Sequence, residues 1–165
     1  MTAIWAQYAR YNRLANQHLY EACACLSDEE RRRDLGAFFK SVHGTLNHLV
    51  LGDRIWMTRF EGGEHPSTDL GAVLFEAFDA LRAARVDMDR RIEAFFADLP
   101  PDFLERSLRY VNNSGFDTTD PASVIVPHFF NHQTHHRAQV HTLLSQLGQD
   151  APVLDLHRVL RPNPA

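Results

Sequence analysis

The sequence predicts an all-α protein, a four-helix bundle with a crossover in place of simple up-down topology. Three observations carry that expectation. Apolar residues recur at helical spacing in four long segments. The 165-residue chain has no repeat, low-complexity tract or linker long enough to divide it, so one domain over residues 1–165 is expected. The connection between the third and fourth segments is long enough for a helix to cross the bundle.

The first helix is expected from about 2 to 25, with Ile4, Tyr8, Tyr11, Leu14, Leu19 and Ala22 in helical register. Ser27-Asp28-Glu29-Glu30 reads as a capping box that opens a short helical piece. The second long helix is expected from about 35 to 60, through Phe38, Phe39, Leu46, Leu49, Trp56 and Met57. It stops at Gly62-Gly63, with Pro66 beyond. The third is expected from about 69 to 97, ending at Pro100-Pro101, and the fourth from about 121 to 147, ending at Gly148. Between them, Asn112-Asn113-Ser114-Gly115 suits a turn, so Leu104 to Thr119 is read as a small hairpin or an ordered loop.

Composition excludes several classes. Hydrophobic residues make up 44% and charged residues 23%, with eleven Phe, four Tyr and two Trp, which is enough for a core and argues against disorder. No stretch approaches the roughly 18 apolar residues that span a bilayer. The N-terminus lacks the basic-then-apolar layout of a signal peptide, and a cytoplasmic location is expected. The net charge is −4, Lys40 is the only lysine, and no basic run occurs, so nucleic-acid binding is not expected. Cys23 and Cys25 sit two apart on a helix, about 200° around its axis, and read as small core or surface residues.

Histidine is the unusual component: ten of 165 residues, with His128, His132, His135 and His136 close together. His132 and His136 are four apart, so both project from one face and can reach one metal ion. Gln133 stands where a zincin would carry its Glu, and no Glu-x-x-His occurs, so neither the metalloprotease nor the di-iron pattern is met. On a helical wheel of about 100° per residue, His136 falls about 20° from the centre of the apolar stripe and His132 about 50–60° away. His135 lies beyond about 100°, and His128 is near that limit.

A third ligand would come from another helix, and the second offers His43, His48 and Asp53. His43 falls in the polar arc with Lys40, Asn47 and Arg54 and reads as exposed. His48 points into protein, with the small Gly52 one turn later leaving space beside it. Asp53 is also inward; it could ligate metal, orient an imidazole, or pair with an arginine such as Arg13 or Arg137. His18 could reach the same interior, although a core or groove role is the simpler reading. His65, His141 and His157 have no supporting constellation, and Trp56 and Met57 read as core.

The segments SVHGTLNHLVLGDRIWMTRF (41–60) and HFFNHQTHHRAQVHTLLSQLG (128–148) resemble the DinB family, and the likeness extends over essentially the whole chain. The specific part is Asn131-His132-Gln133-Thr134-His135-His136-Arg137-Ala138-Gln139, where the family commonly has Gly in place of Ala138. The resemblance implies a crossover bundle, a homodimer, and one divalent ion per chain on His48, His132 and His136. Zinc or nickel is the expected ion, with iron(II) or cobalt as further options. It also implies a small-molecule substrate, such as a low-molecular-weight thiol, and a metal-dependent transferase or isomerase. A non-catalytic metal-binding stress-response protein and a metal-dependent hydrolase are the alternatives. For a general base, Asp53 and His18 are the candidates; for binding a carboxylate, Arg13, Arg54 and Arg137, each of which reads first as solvated surface.

Overall fold

The computed structural model describes residues 3–64 and 69–162. Four long helices form the body: α1 (Ala3–Ala24), α3 (Val42–Phe60), α4 (Phe78–Ala97) and α5 (Ala122–Gln146). Two short helices are added, α2 (Asp28–Arg32) and α6 (Leu156–Leu160), together with a hairpin of β1 (Ser107–Val111) and β2 (Asp117–Pro121). The four long helices pack in a ring in which α1 and α3 each lie against α4 and α5. No helix of the described residues is long and apolar enough to cross a membrane. His65 and Pro66 lie outside the described residues.

The capping box is present in full: the Ser27 side chain accepts from the Glu30 N–H, and the Ser27 N–H donates to Glu30 Oε2 at 2.7 Å. The connection after α4 is the hairpin, antiparallel from Ser107 opposite Pro121 to Val111 opposite Asp117. Gly115 takes φ +83° at its turn, a conformation a Cβ would oppose.

Two helix starts differ from the periodicity. The second long helix begins at Val42 and not near 35, because Ser41 caps it by accepting from the Gly44 N–H. Residues 35–40 form a tight corner in which the Leu35 N–H donates to the Lys40 carbonyl at 2.8 Å and Lys40 adopts φ +67°. The third begins at Phe78 and not near 69. Residues 70–75 are drawn along α3 instead, where side chains take their main-chain groups. Asn47 Oδ1 accepts from the Phe75 N–H, and His43 Nε2 donates to the Phe75 carbonyl at 2.8 Å. His43 is therefore buried, correcting its placement on an exposed arc. The helix α6 carries too short an apolar pattern to read from sequence; Tyr11 holds the segment before it by donating its hydroxyl to the Leu154 carbonyl.

Among the described residues the core has two large apolar halves and a small cluster of Tyr11, Ala15 and Val159 under α6. One half is aromatic, built on Phe60, Phe96, Phe129 and Phe130; the other is aliphatic, built on Leu19, Leu46, Leu81, Val140 and Leu144. Between them, in the middle of every long helix, sits a polar layer: Asn12 and Asn16, Asp53, Arg85 and Asp89, Gln133 and Arg137, all buried. Asp53 accepts from Arg85 Nη1 at 2.5 Å and from Gln133 Nε2 at 2.8 Å. Arg85 also pairs with Asp89 at 2.9 Å, and Asn12 and Asn16 donate to the same Asp89 oxygen. Arg137 donates to the side-chain oxygen Oδ1 of Asn12 and lies over the Tyr11 ring. Two carboxylates and two guanidiniums thus neutralise one another inside the protein.

This layer corrects two expectations. The partner of Asp53 is Arg85, while Arg13 pairs with Glu93 near the surface at 2.8 Å. Arg137 is a buried structural residue and not a solvated one. Burial pushes the Asp89 carboxyl up to about 6, despite the opposing pull of Arg85. Replacing Arg85 by Met should leave two buried carboxyls with no ion-pair partner and only Arg137 as countercharge in the layer, and cost about 3–5 kcal/mol. Urea denaturation at pH 7 checks this; a loss below about 1 kcal/mol would contradict the role given to the layer.

Candidate metal centre

His132 and His136 lie one turn apart on α5, and His48 meets them from α3. His132 Nε2 is 3.2 Å from His48 Nε2 and 3.1 Å from His136 Nε2. One ligand atom from each of the three lies within 4.8 Å of the others, so the set could hold a metal ion. Donors about 2.05 Å from one ion are about 2.9 Å apart at a right angle and about 3.3 Å apart at the tetrahedral angle. The observed separations fall between those limits.

Hydrogen bonding orients the rings. The Leu70 carbonyl can only accept, so His48 Nδ1 carries the proton and donates to it at 2.9 Å. His136 Nδ1 lies 2.7 Å from Gln139 Oε1 and is the donor there. Both Nε2 atoms are consequently bare lone pairs facing His132. His132 has one Nε2 and satisfies at most one of them with a proton, so at least one lone pair is left facing the cluster. That donor set fits a cation.

The surroundings favour neutral imidazoles. Burial, with the neighbouring imidazoles, pulls His132 down to about 3, and burial pulls His136 down to about 4. Burial also lowers His48. Phe39, released from the helix by the corner at 35–40, stacks on His48 with centroids 3.8 Å apart and meets the His136 ring at 5.6 Å. Phe38 beside it is 83% exposed. Gly52 makes room for His132 and not for His48: a Cβ there would sit 3.1 Å from His132 Cε1.

The other candidates are placed elsewhere. His128 and His135 are exposed on α5 and flank the cluster, with ring centroids 5.9 Å from His132 and 4.8 Å from His136. Trp56 lies between His128 and Tyr110, with Arg59 over the Trp56 and Tyr110 rings. Asp53 is consumed by Arg85 and Gln133. His18 lines a cleft with Val153, Asp155 and Arg158 at the C-terminal segment, away from the cluster. Arg54 lies over the Phe75 ring. Sequence reasoning missed Phe39, the Leu70 carbonyl and Gln139. Gln139 stood in the motif without a role; the other two depend on chain reversals that periodicity does not reveal.

An α-helical body with imidazoles gathered from two of its helices defines the class. The chain belongs to the DinB family, whose model matches residues 1–164. It is 25% identical over 147 residues to "Protein DinB" of Bacillus subtilis (strain 168), covering 84% of this chain and 83% of that protein. It shares its fold with the crystal structure of a DinB-like protein from Bacillus cereus ATCC 10987. The TM-score is 0.62 at 17% identity, over 84% of this chain and 89% of the other.

Removing the acceptor with Gln139→Leu should weaken divalent-metal affinity about 10- to 100-fold with the fold intact, as measured by chelator competition and circular dichroism. An unchanged affinity would sink the orienting role. Three ordinary histidines, titrating near 6.5, would each lose about tenfold in metal affinity by pH 5.5 through proton competition. Because His132 and His136 titrate near 3 and 4, that loss is expected only below those values for the pair. The same competition assay between pH 7 and 5.5 checks this: His48 alone accounts for at most about tenfold, so a fall of about a hundredfold or more would contradict it.

Proposed function

We propose that the chain is a metal-dependent enzyme of the thiol-transferase or isomerase type, holding one divalent ion on His48, His132 and His136. The observation that carries this reading is the cluster itself. Three neutral imidazoles converge through Nε2, and no fourth His, Cys or carboxylate joins them among the described residues. Four protein ligands would fit a closed structural site, whereas three fit one that keeps a position for substrate. A divalent ion there would supply Lewis acidity, stabilising a bound thiol as its thiolate.

The protein's own part is positioning. The Leu70 carbonyl and Gln139 hold two rings in the ligating tautomer. Phe39 covers one face of the His48 ring, and the exposed His128 and His135 flank the cluster. Hydrolysis is the weaker alternative: Gln133, where a zincin carries its Glu, is no base, and Asp53 is held by Arg85 and Gln133. Zinc or nickel suits an all-imidazole set, as do iron(II) and cobalt. The placement of α1 and α3 across the ring from each other supports a crossover bundle. A homodimer is part of this reading by family likeness.

Elemental analysis of untagged protein from metal-replete growth should find about one divalent ion per chain, and His132→Ala should lose it. Wild-type protein with no stoichiometric metal would overturn the proposal. Turnover with a panel of small thiols and an electrophilic acceptor should require that metal; metal-loaded protein inert across the panel would shift the reading to a non-catalytic metal-binding protein.

A further inference from the structure

The histidine cluster reaches the surface at one member. His48 and His136 are buried, whereas His132 is half-exposed. One turn before His132 on α5 stands the exposed His128, with ring centroids 5.9 Å apart. A track of ring surface continues from there. His128 meets Trp56 at 5.4 Å and Trp56 meets Tyr110 at 5.5 Å, each edge to face. The track ends at a cation: the Arg59 guanidinium lies 4.8 Å from the Trp56 ring and 4.2 Å from the Tyr110 ring. Arg59 follows His48 by close to three whole turns of α3, so both stand on one face, about 16 Å apart along the axis.

Arg59 is a half-buried cation without an anion. Its Nη2 donates to the Val111 carbonyl at 2.9 Å, and no carboxylate pairs with it among the described residues. Glu61, two residues on, pairs with Arg91, and Asp120 accepts the Tyr110 hydroxyl. Burial lowers the Arg59 pKa, as it does for a charge drawn partly out of water without a counterion. Two aromatic rings hold the guanidinium, and its remaining N–H groups form a fork that matches a planar carboxylate.

We propose that Arg59 receives the carboxylate of the thiol substrate, whose sulfur reaches the ion on His48, His132 and His136 and whose chain crosses His128 and Trp56. The sulfur arrives as thiolate, its proton released to solvent. The substrate is accordingly a thiol with an acidic group many bonds from the sulfur, and the position of Arg59 sets that length. This inference rests on the thiol reading of the cluster.

Titration of cobalt(II)-loaded protein with thiols, followed by thiolate-to-cobalt charge-transfer absorption, tests this without any turnover. Acid and alcohol pairs separate charge from length. 8-Mercaptooctanoate should bind about tenfold or more tightly than 8-mercaptooctanol, the worth of one charged hydrogen-bonded contact. 3-Mercaptopropionate, too short to reach Arg59, should show no such preference over 3-mercaptopropanol. Arg59→Gln should erase the long acid's advantage and Arg59→Lys should keep part of it, both with wild-type cobalt content and circular dichroism. The wild-type comparison does not depend on how the variants fold. Equal affinity for the long acid and its alcohol, an equal advantage for the short acid, or an advantage that survives Arg59→Gln would each overturn this proposal alone. A loaded protein that gives no charge-transfer band with any thiol would overturn the thiol reading, and this inference with it.

Discussion

The Asp53 carboxylate is the constraint around which the rest is arranged. It is buried, and a charge there persists only with partners that neutralise and hydrogen-bond it. Those partners come from different helices, Arg85 from α4 and Gln133 from α5. Satisfying one residue of α3 therefore fixes the rotation and height of two others against it. Gln133 is next to His132, so the rotation that brings its amide to Asp53 also turns His132 toward the edge where His48 stands. The metal-ligand geometry is in this sense inherited from a bond in which no ligand takes part.

The polar layer also explains how an apolar core can carry a defined register. Leu, Val and Phe on either side of it would tolerate a helix sliding by a turn, because their attraction lacks direction. A slide would strand Asp53, Asp89, Arg85 or Arg137 without a partner, at several kcal/mol each in general. The apolar halves thus supply most of the cohesion, and the layer between them specifies one alignment.

Much of this was legible in the sequence, and what was not has a physical cause. Helix periodicity located the four long helices, because each buries one stripe, and the i, i+4 spacing of His132 and His136 with an inward His48 located the cluster. The errors fall where side chains compete with helix hydrogen bonding. Residues 69–77 have helical periodicity, yet His43, Asn47 and His48 of α3 capture Leu70 and Phe75 main-chain groups and hold the strip open. His43 reads as exposed because its arc of the wheel is polar, and a wheel does not show that the strip ending at Phe75 lies over that arc. Arg85 could not be chosen over Arg13 or Arg137 as the mate of Asp53, because a one-dimensional pattern shows which residues face inward but not which of them meet.

The bond from His48 to the Leu70 carbonyl has a consequence of another kind. A partner supplied by main chain is invisible to side-chain scanning: Leu70→Ala leaves the same oxygen in the same place. What can move it is the length of the connection between α3 and α4, since one residue more or fewer shifts which carbonyl arrives at the ring. Sequence change in that connection is therefore governed by residue count more than by residue identity, so substitutions that look drastic can be silent and a single deletion need not be.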